Sequence, residues 1–190
     1  MFIVLEGPDG SGSSTHAKLL TQALIKKGVD AIHTWQPSTG PVGVEIRDIL
    51  EKRKAFPGAK AFQKMYSEDR HWHVENVVKP ALQESRTIIC ERYYWSTVIY
   101  GNYGGITEET VLQWNQDLPE PDHHIVLLPP LKTCLKRLVS RKPDIFENNT
   151  MQTEVYKLYE QYAKREHWPI IDTSGSIKEG QKKLLELLQL

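Results

Sequence analysis

The apolar run Phe2-Ile3-Val4-Leu5 leads into Gly7-Pro8-Asp9-Gly10-Ser11-Gly12-Ser13-Ser14-Thr15, and a helical pattern opens there. A strand, a glycine loop and a helix in that order constrain the fold more than any other feature of the chain. In such a unit the loop's backbone N–H groups point inward and the helix N-terminus adds its positive end, so the unit binds phosphate. The glycines permit a tight turn and a close approach of backbone to ligand. The spacing is that of Gly-x4-Gly-Lys-Ser/Thr, with Ser13 where the motif has lysine. Ser14 holds the position whose hydroxyl binds Mg²⁺ in such loops.

The absent lysine is a large omission. Losing one preorganised stabilising group costs roughly 10²–10³ in rate. The Ser13 hydroxyl can donate a hydrogen bond but carries no charge. Lys18 lies five residues along the helix, about 7.5 Å away and turned to another face. Arg137, Arg141 and Lys142 are the candidates for supplying the charge. Arg137 and Arg141 share a helix face at i,i+4 spacing, and the three lead into Pro143–Thr150. A solvated basic face is the alternative reading of the same three residues.

Four further runs read as strands: Ala31–Trp35, Thr87–Cys90, His124–Leu128 and Pro169–Asp172. Thr87–Cys90 and Ile125–Leu128 are apolar without alternation, as strands buried on both faces are. Helical patterns separate them: Ser14–Lys27, stopped by Gly28, then Val42–Lys54, Lys60–Glu84, Thr107–Gln116, Lys132–Arg141, Gln152–Glu166 and Ile177–Leu188. Pro80 should kink or divide the third. Alternating strands and helices give an α/β fold with a five-stranded parallel sheet flanked by helices. The expected organisation is one domain over residues 1–190, with a small lid segment around 141–150. Residues that do chemistry should sit in loops at the strands' carboxyl ends, where Gly7–Ser14, Gln36–Gly40 and Glu91–Arg92 all fall.

The 24 Lys and Arg residues balance 24 Asp and Glu, which leaves no basic excess for a nucleic acid partner. No stretch approaches the ~18 apolar residues of a membrane span, and the N-terminus lacks a signal-peptide pattern. Cys90 and Cys134 sit in apolar patterns and read as buried free thiols, which fits a reducing compartment and a cytoplasmic location. His71 and His73, at i,i+2 on a helix, do not face each other and make no metal pair.

A second constellation follows the third strand. If Tyr93–Tyr100 is helical, Arg92, Ser96 and Tyr100 lie on one face, with Thr97 beside them. Upstream, Tyr66 and Arg70 form another i,i+4 pair, and a ring beside a guanidinium suits a flat polar ligand.

With these segments in hand, the chain resembles the thymidylate kinase family of P-loop nucleoside monophosphate kinases over nearly its whole length. The resemblance is carried by the Phe2–Gly7 start, Gln36-Pro37 with Glu45-Ile46-Arg47, Tyr66-Ser67-Glu68-Asp69-Arg70, and Glu91-Arg92-Tyr93 with Ser96 and Tyr100. Leu118-Pro119-Glu120-Pro121-Asp122 and Asp144-Ile145-Phe146-Glu147 complete it. It implies transfer of the γ-phosphoryl of ATP to dTMP with Mg²⁺, by a homodimer. It places ATP on Gly7–Thr15 and the metal at Ser14 and Glu91. Tyr66 would stack on thymine, Arg70 would bond its carbonyl, Ser96 and Thr97 would lie near the base edge, and Tyr100 would crowd the sugar's 2′ position. Arg92 would bridge acceptor and donor phosphates, and Asp9 would approach the acceptor. Apart from the resemblance, Arg141 is taken as the catalytic candidate among the three basic residues that could replace the lysine. Four positions depart from the family pattern: Ser13 for lysine, Glu91 for aspartate, Trp35-Gln36 for Arg-Glu, and Ile145 for the lid arginine. The alternatives are another deoxynucleoside monophosphate as acceptor, or a nucleotide-binding homologue without transfer.

Overall fold

A computed structural model describes residues 1–139 and 149–189. Arg141, Lys142, Ile145 and the part of the expected 141–150 lid up to residue 148 lie outside those residues.

Five strands form one parallel sheet: β1 (Phe2–Glu6), β2 (Ala31–Trp35), β3 (Thr87–Glu91), β4 (His123–Leu127) and β5 (Ile170–Ile171), in the order β2-β3-β1-β4-β5. The expected α/β class with five parallel strands is what the chain adopts. Helices described between and after them are α1 (Ser13–Lys26), α2 (Pro41–Leu50), α3 (Ala59–His73), α4 (Lys79–Gln83), α5 (Tyr94–Tyr103), α6 (Glu108–Trp114), α7 (Leu131–Leu138), α8 (Asn149–Arg165) and α9 (Ile177–Leu187).

The two-residue period of a strand sorts its side chains between two cores. On β1, Phe2 and Val4 join Ile88 and Cys90 of β3 against α5 and α8, whose Val98, Val155 and Tyr159 lie in the same cluster. Ile3 and Leu5 face the other way, against Ala17, Leu20 and Leu24 of α1 and Leu184 of α9. By the same period Glu6 continues the Phe2–Val4 face. It is a carboxylate, 0% exposed, at the end of an apolar stripe. Both cysteines are free and buried, as the sequence suggests.

Where the elements differ from the sequence reading, the backbone gives the reason. The long pattern from Lys60 is divided, as Pro80 requires, by a π turn over Val74–Val78. The Lys79 N–H bonds the Val74 carbonyl across it, which takes up the register before a residue with no N–H. Helix α2 stops at Leu50 rather than Lys54, because Lys52 turns left-handed (φ 61°) and the Arg53 N–H folds back onto the Asp48 carbonyl at 2.7 Å. Gly28, left-handed at φ 82°, closes α1 as a helix stop should.

Candidate active site

The glycine loop lies between β1 and α1 in the crevice at the carboxyl end of the sheet. Gly7, the first glycine of the motif, has no room for a side chain, since a Cβ there would stand 2.5 Å from the Leu127 carbonyl oxygen; Gly10, in the four-residue spacer, is likewise confined, with φ 81° and a Cβ position 2.5 Å from the Cys134 carbonyl oxygen of α7. The Ser11 N–H bonds the Pro8 carbonyl at 3.1 Å, closing the turn. Helix α1 starts at Gly12 with no side-chain cap, whereas α6 is capped by Thr107 and α9 carries a full capping box from Ser176 and Glu179. The first-turn N–H groups of α1 therefore keep their capacity to bind an anion.

The loop is braced from behind. The guanidinium of Arg137, on α7, donates from Nη1 to the carbonyls of Gly10 (3.0 Å) and Ser11 (3.3 Å) and from Nη2 to that of Thr173 (2.7 Å). The Thr173 hydroxyl donates to the same Ser11 carbonyl at 2.6 Å. The loop, α7 and the segment after β5 are thereby tied at one point.

Two cavities meet over the loop. The larger, about 440 Å³, is lined by the loop, Ser13 to Thr15, His33, Trp35 and Glu91. The smaller, about 200 Å³, is lined by Tyr66, Leu50, Gln63, Ser96, Thr97 and Tyr100 among others. Asp9, Gln36 and Arg92 belong to both walls. Arg92 is the one lysine or arginine among the described residues lining the larger cavity. Ser13 has therefore not been exchanged for a basic side chain elsewhere on that described wall.

Arg92 reaches this junction through its backbone rather than through a helix. It stands one residue before the cap of α5, in the left-handed region at φ 63°. Its Nη2 donates to Asp9 Oδ1 at 2.6 Å, and its Nη1 to Ser96 Oγ and Tyr159 Oη, each at 3.1 Å. Tyr100 lies under it, 5.4 Å from ring centroid to guanidinium carbon, and donates its hydroxyl to Asp9 Oδ2 at 2.9 Å. The sequence expectation that Arg92, Ser96 and Tyr100 converge is met, but the single-face helix invoked for it begins only at Tyr94. Burial works against the Arg92 cation, yet Tyr100, Tyr159, Asp9 and Glu6 around it hold its pKa well above the ordinary arginine value. Burial and the Asp9 carboxylate push the Tyr100 phenol well up, so it stays a donor to Asp9.

Three residues of this constellation were not singled out from the sequence. Glu6 accepts from the Tyr93 N–H (2.8 Å), the Ser96 hydroxyl (2.5 Å) and the Tyr159 hydroxyl (3.1 Å), which fixes the start of α5 and backs Arg92 with an anion. Burial raises its pKa, against the lowering effect of Ser96 and Arg92. Tyr159 and Gln152 come from α8. Gln152 donates to Asp9 Oδ2 at 2.8 Å. A carboxylate closing an apolar strand was the available signal for Glu6, but the two α8 residues had none, because only docking of that helix brings them in.

Glu91, at the end of β3, accepts from the Ser14 hydroxyl at 2.5 Å through Oε2 and meets His33 Nε2 at 2.5 Å through Oε1. A hydroxyl and a carboxylate side by side form an oxygen donor set, which suits Mg²⁺. Among the described residues no group of three or more His, Cys, Asp or Glu could hold a metal by itself.

Tyr66 lines the smaller cavity, while Arg70 lies behind its wall, 1% exposed. Arg70 donates to Gln36 Oε1 (2.7 Å), Asn115 Oδ1 (2.9 Å), the Tyr93 carbonyl (3.1 Å) and Thr97 Oγ1 (2.9 Å). Burial lowers its pKa to about 10, which still leaves it a cation at neutral pH. The structure thus gives Arg70 four internal partners where the sequence reading gives it a base carbonyl. His73, read as making no metal pair, meets Thr34 Oγ1 at 2.5 Å and Gln36 Nε2 at 3.2 Å.

A family model described as Thymidylate kinase matches residues 5–184. The chain is similar to the probable thymidylate kinase of Caldivirga maquilingensis, 32% identical over 191 residues that cover 100% of this chain and 93% of the relative. It is also 32% identical, over 190 residues, to the probable thymidylate kinase of Methanocaldococcus jannaschii, covering 100% of this chain and 96% of that protein. The thymidylate kinase of Halothermothrix orenii is 32% identical over 194 residues, with 97% and 94% covered.

Proposed function

The chain belongs to the thymidylate kinase family, and from that premise we propose that it transfers the γ-phosphoryl group of ATP to dTMP, giving dTDP and ADP. The observation that carries this reading is the position of Arg92, one guanidinium lining both cavities. In-line transfer between two nucleotides needs a fixed cation between acceptor and donor phosphates, and little else by way of covalent help. The acceptor phosphate oxygen is already ionised, so no general base is required.

The residues divide between the two substrates. ATP lies on Gly7, Pro8, Asp9, Gly10, Ser11, Gly12, Ser13, Ser14 and Thr15. Its phosphates are held by loop and α1 N–H groups, with Arg137 keeping the loop in shape. dTMP occupies the smaller cavity, with Tyr66 against the base, Ser96 and Thr97 on its edge, and Tyr100 against the sugar. Arg70 acts there by positioning Gln36 and Thr97. Asp9 holds Arg92 and Tyr100 in place and faces the acceptor. Ser14 and Glu91 are the residues that would hold Mg²⁺, which, when bound, offsets charge on the donor phosphates. Arg141 belongs to the same proposal as a lid cation.

A cytoplasmic homodimer without nucleic acid partners completes the reading. No described helix is long and apolar enough to cross a membrane, and the balanced charge supports small phosphorylated ligands over polyanions. Ser13 favours a second reading, a protein that binds both nucleotides without transfer. The test is dTDP formation from ATP with Mg²⁺ and dTMP, run beside dUMP and dCMP. Turnover with dTMP supports the first reading, turnover with another acceptor alone replaces the substrate, and binding without turnover supports the second reading.

A further inference from the structure

Helix α3 buries an unusual number of polar side chains on its inner face: Gln63, Ser67, Asp69, Arg70 and His73. All but one are satisfied within the protein. Ser67 accepts from Asn115, Asp69 accepts from the Ser38 N–H and hydroxyl, and Arg70 and His73 have the partners given above. Gln63 is the exception. It is 4% exposed and lines the smaller cavity, and its carboxamide makes no hydrogen bond among the described residues. Of the other polar side chains of that wall, Asp9, Gln36, Arg92, Ser96, Thr97 and Tyr100 each have a hydrogen-bond partner within the protein.

Neither amide atom is among the described buried side-chain atoms that lack a partner, so both open onto the cavity, where a ligand can bond them. An unpaired carboxamide turned to a ligand cavity marks where a ligand's own donor and acceptor complete the bonding.

The position narrows the ligand group. Asp9 and Arg92 line both cavities and so mark the phosphate end of the smaller one. Gln63 and Tyr66 line the smaller cavity and not the larger, as Leu50, Ser96, Thr97 and Tyr100 also do. At i,i+3 on α3 they are neighbours, so the amide flanks the ring that faces the base. We infer that Gln63 reads the base edge of the acceptor nucleotide, its amide N–H donating to a ring carbonyl and its amide oxygen accepting from the adjacent ring N–H. The inference rests on the dTMP reading above. A carboxamide and the N3–H/C=O edge of thymine are complementary at two points, so Gln63 can meet both atoms of that edge.

The test is calorimetric titration of the full chain with dTMP and with N3-methyl-dTMP, in the wild type and in Gln63→Leu. Wild type should bind dTMP at least tenfold more tightly than the N3-methyl analogue. Gln63→Leu should bind dTMP about ten- to a hundredfold more weakly, the range of one to two hydrogen bonds. It should also discriminate between the two ligands by less than threefold. If the leucine variant does not fold, Gln63→Glu serves. It keeps the volume and the acceptor but loses the donor, and should weaken dTMP binding by about tenfold or more. An unchanged dTMP affinity in the variant, or an N3-methyl penalty that persists undiminished in Gln63→Leu, would overturn the inference while leaving the dTMP reading intact. Wild-type protein that binds no dTMP would overturn both.

Discussion

Arg137 separates two accounts of how a phosphate loop without lysine is made to work. In one, the guanidinium lends its charge to the reacting phosphate. In the other, it holds the loop's shape. Its three described hydrogen bonds all go to backbone carbonyls, those of Gly10, Ser11 and Thr173, which favours the second. For a half-buried charged donor each bond contributes about 1 kcal/mol net, so Arg137→Ala should cost about 2–3 kcal/mol. For a chain of this length that lowers Tm by roughly 5–10 °C. The loop's N–H groups then lose their fixed geometry, and an error of about 1 Å costs on the order of 10²-fold in rate. The assay is thermal unfolding alongside steady-state dTDP formation with ATP varied. Arg137→Lys decides between the accounts, because it keeps the charge but not the planar fork that spans three carbonyls. Bracing predicts that the lysine variant loses at least half of the Tm difference and tenfold or more in kcat/KM for ATP. A lysine variant with wild-type Tm and turnover would refute the bracing argument, as would an alanine variant that melts with the wild type.

Three further outcomes follow from the described geometry. Ser13→Lys restores a cation to a cavity in which Arg92 is the one described Lys or Arg, and kcat should rise by tenfold or more; a fall would show a site organised around serine. His124 stacks on Trp168 at 5.2 Å with both ring nitrogens buried and unpartnered among the described residues, and burial lowers its pKa to about 4. Its neutral form is compatible with the fold above the ordinary histidine value, and stability is lost as pH falls from about 6.5 towards 4, by roughly 2–3 kcal/mol. His124→Phe should remove that loss in denaturant melts across the range, and an unchanged slope would count against it. Glu6, whose pKa burial raises, favours the fold most when protonated. Wild-type stability should therefore carry a component that declines as pH rises above about 4.5. Glu6→Gln should abolish that component in the same melts and lower kcat by weakening the support of Arg92, and a wild-type pH profile in the variant would contradict the assignment.

Much of this was legible in the chain because its local signals agree. The apolar runs bounded by turns gave all five strands to within a residue or two, and their alternation with helices gave the parallel sheet. The glycine spacing places the loop, since the motif's first glycine, Gly7, has no room for a side chain beside the Leu127 carbonyl. Other features depend on dihedral angles or docking that no periodicity encodes. Arg92 enters the site from a left-handed backbone position that a helical-face argument does not contain. Arg70 lies on the face that its pairing with Tyr66 predicts, but its burial behind Gln36 and Thr97 required the packing of α3 on α5 and α6. Tyr159 and Gln152 reach Asp9 and Arg92 from more than 50 residues away in sequence. Gln63 carries no signal of its own in the sequence, because only its place in the cavity wall beside Tyr66 sets it apart.

The measurement that bears most directly on the account is formation of dTDP from dTMP and ATP with Mg²⁺ by the purified chain, followed with ADP in parallel and with Arg92→Ala as the control. The account predicts dTDP and ADP in equal amounts, and a loss of about 10²–10³-fold or more in the variant. Protein that binds both dTMP and ATP yet makes no dTDP, or an Arg92→Ala variant that turns over like the wild type, would contradict it.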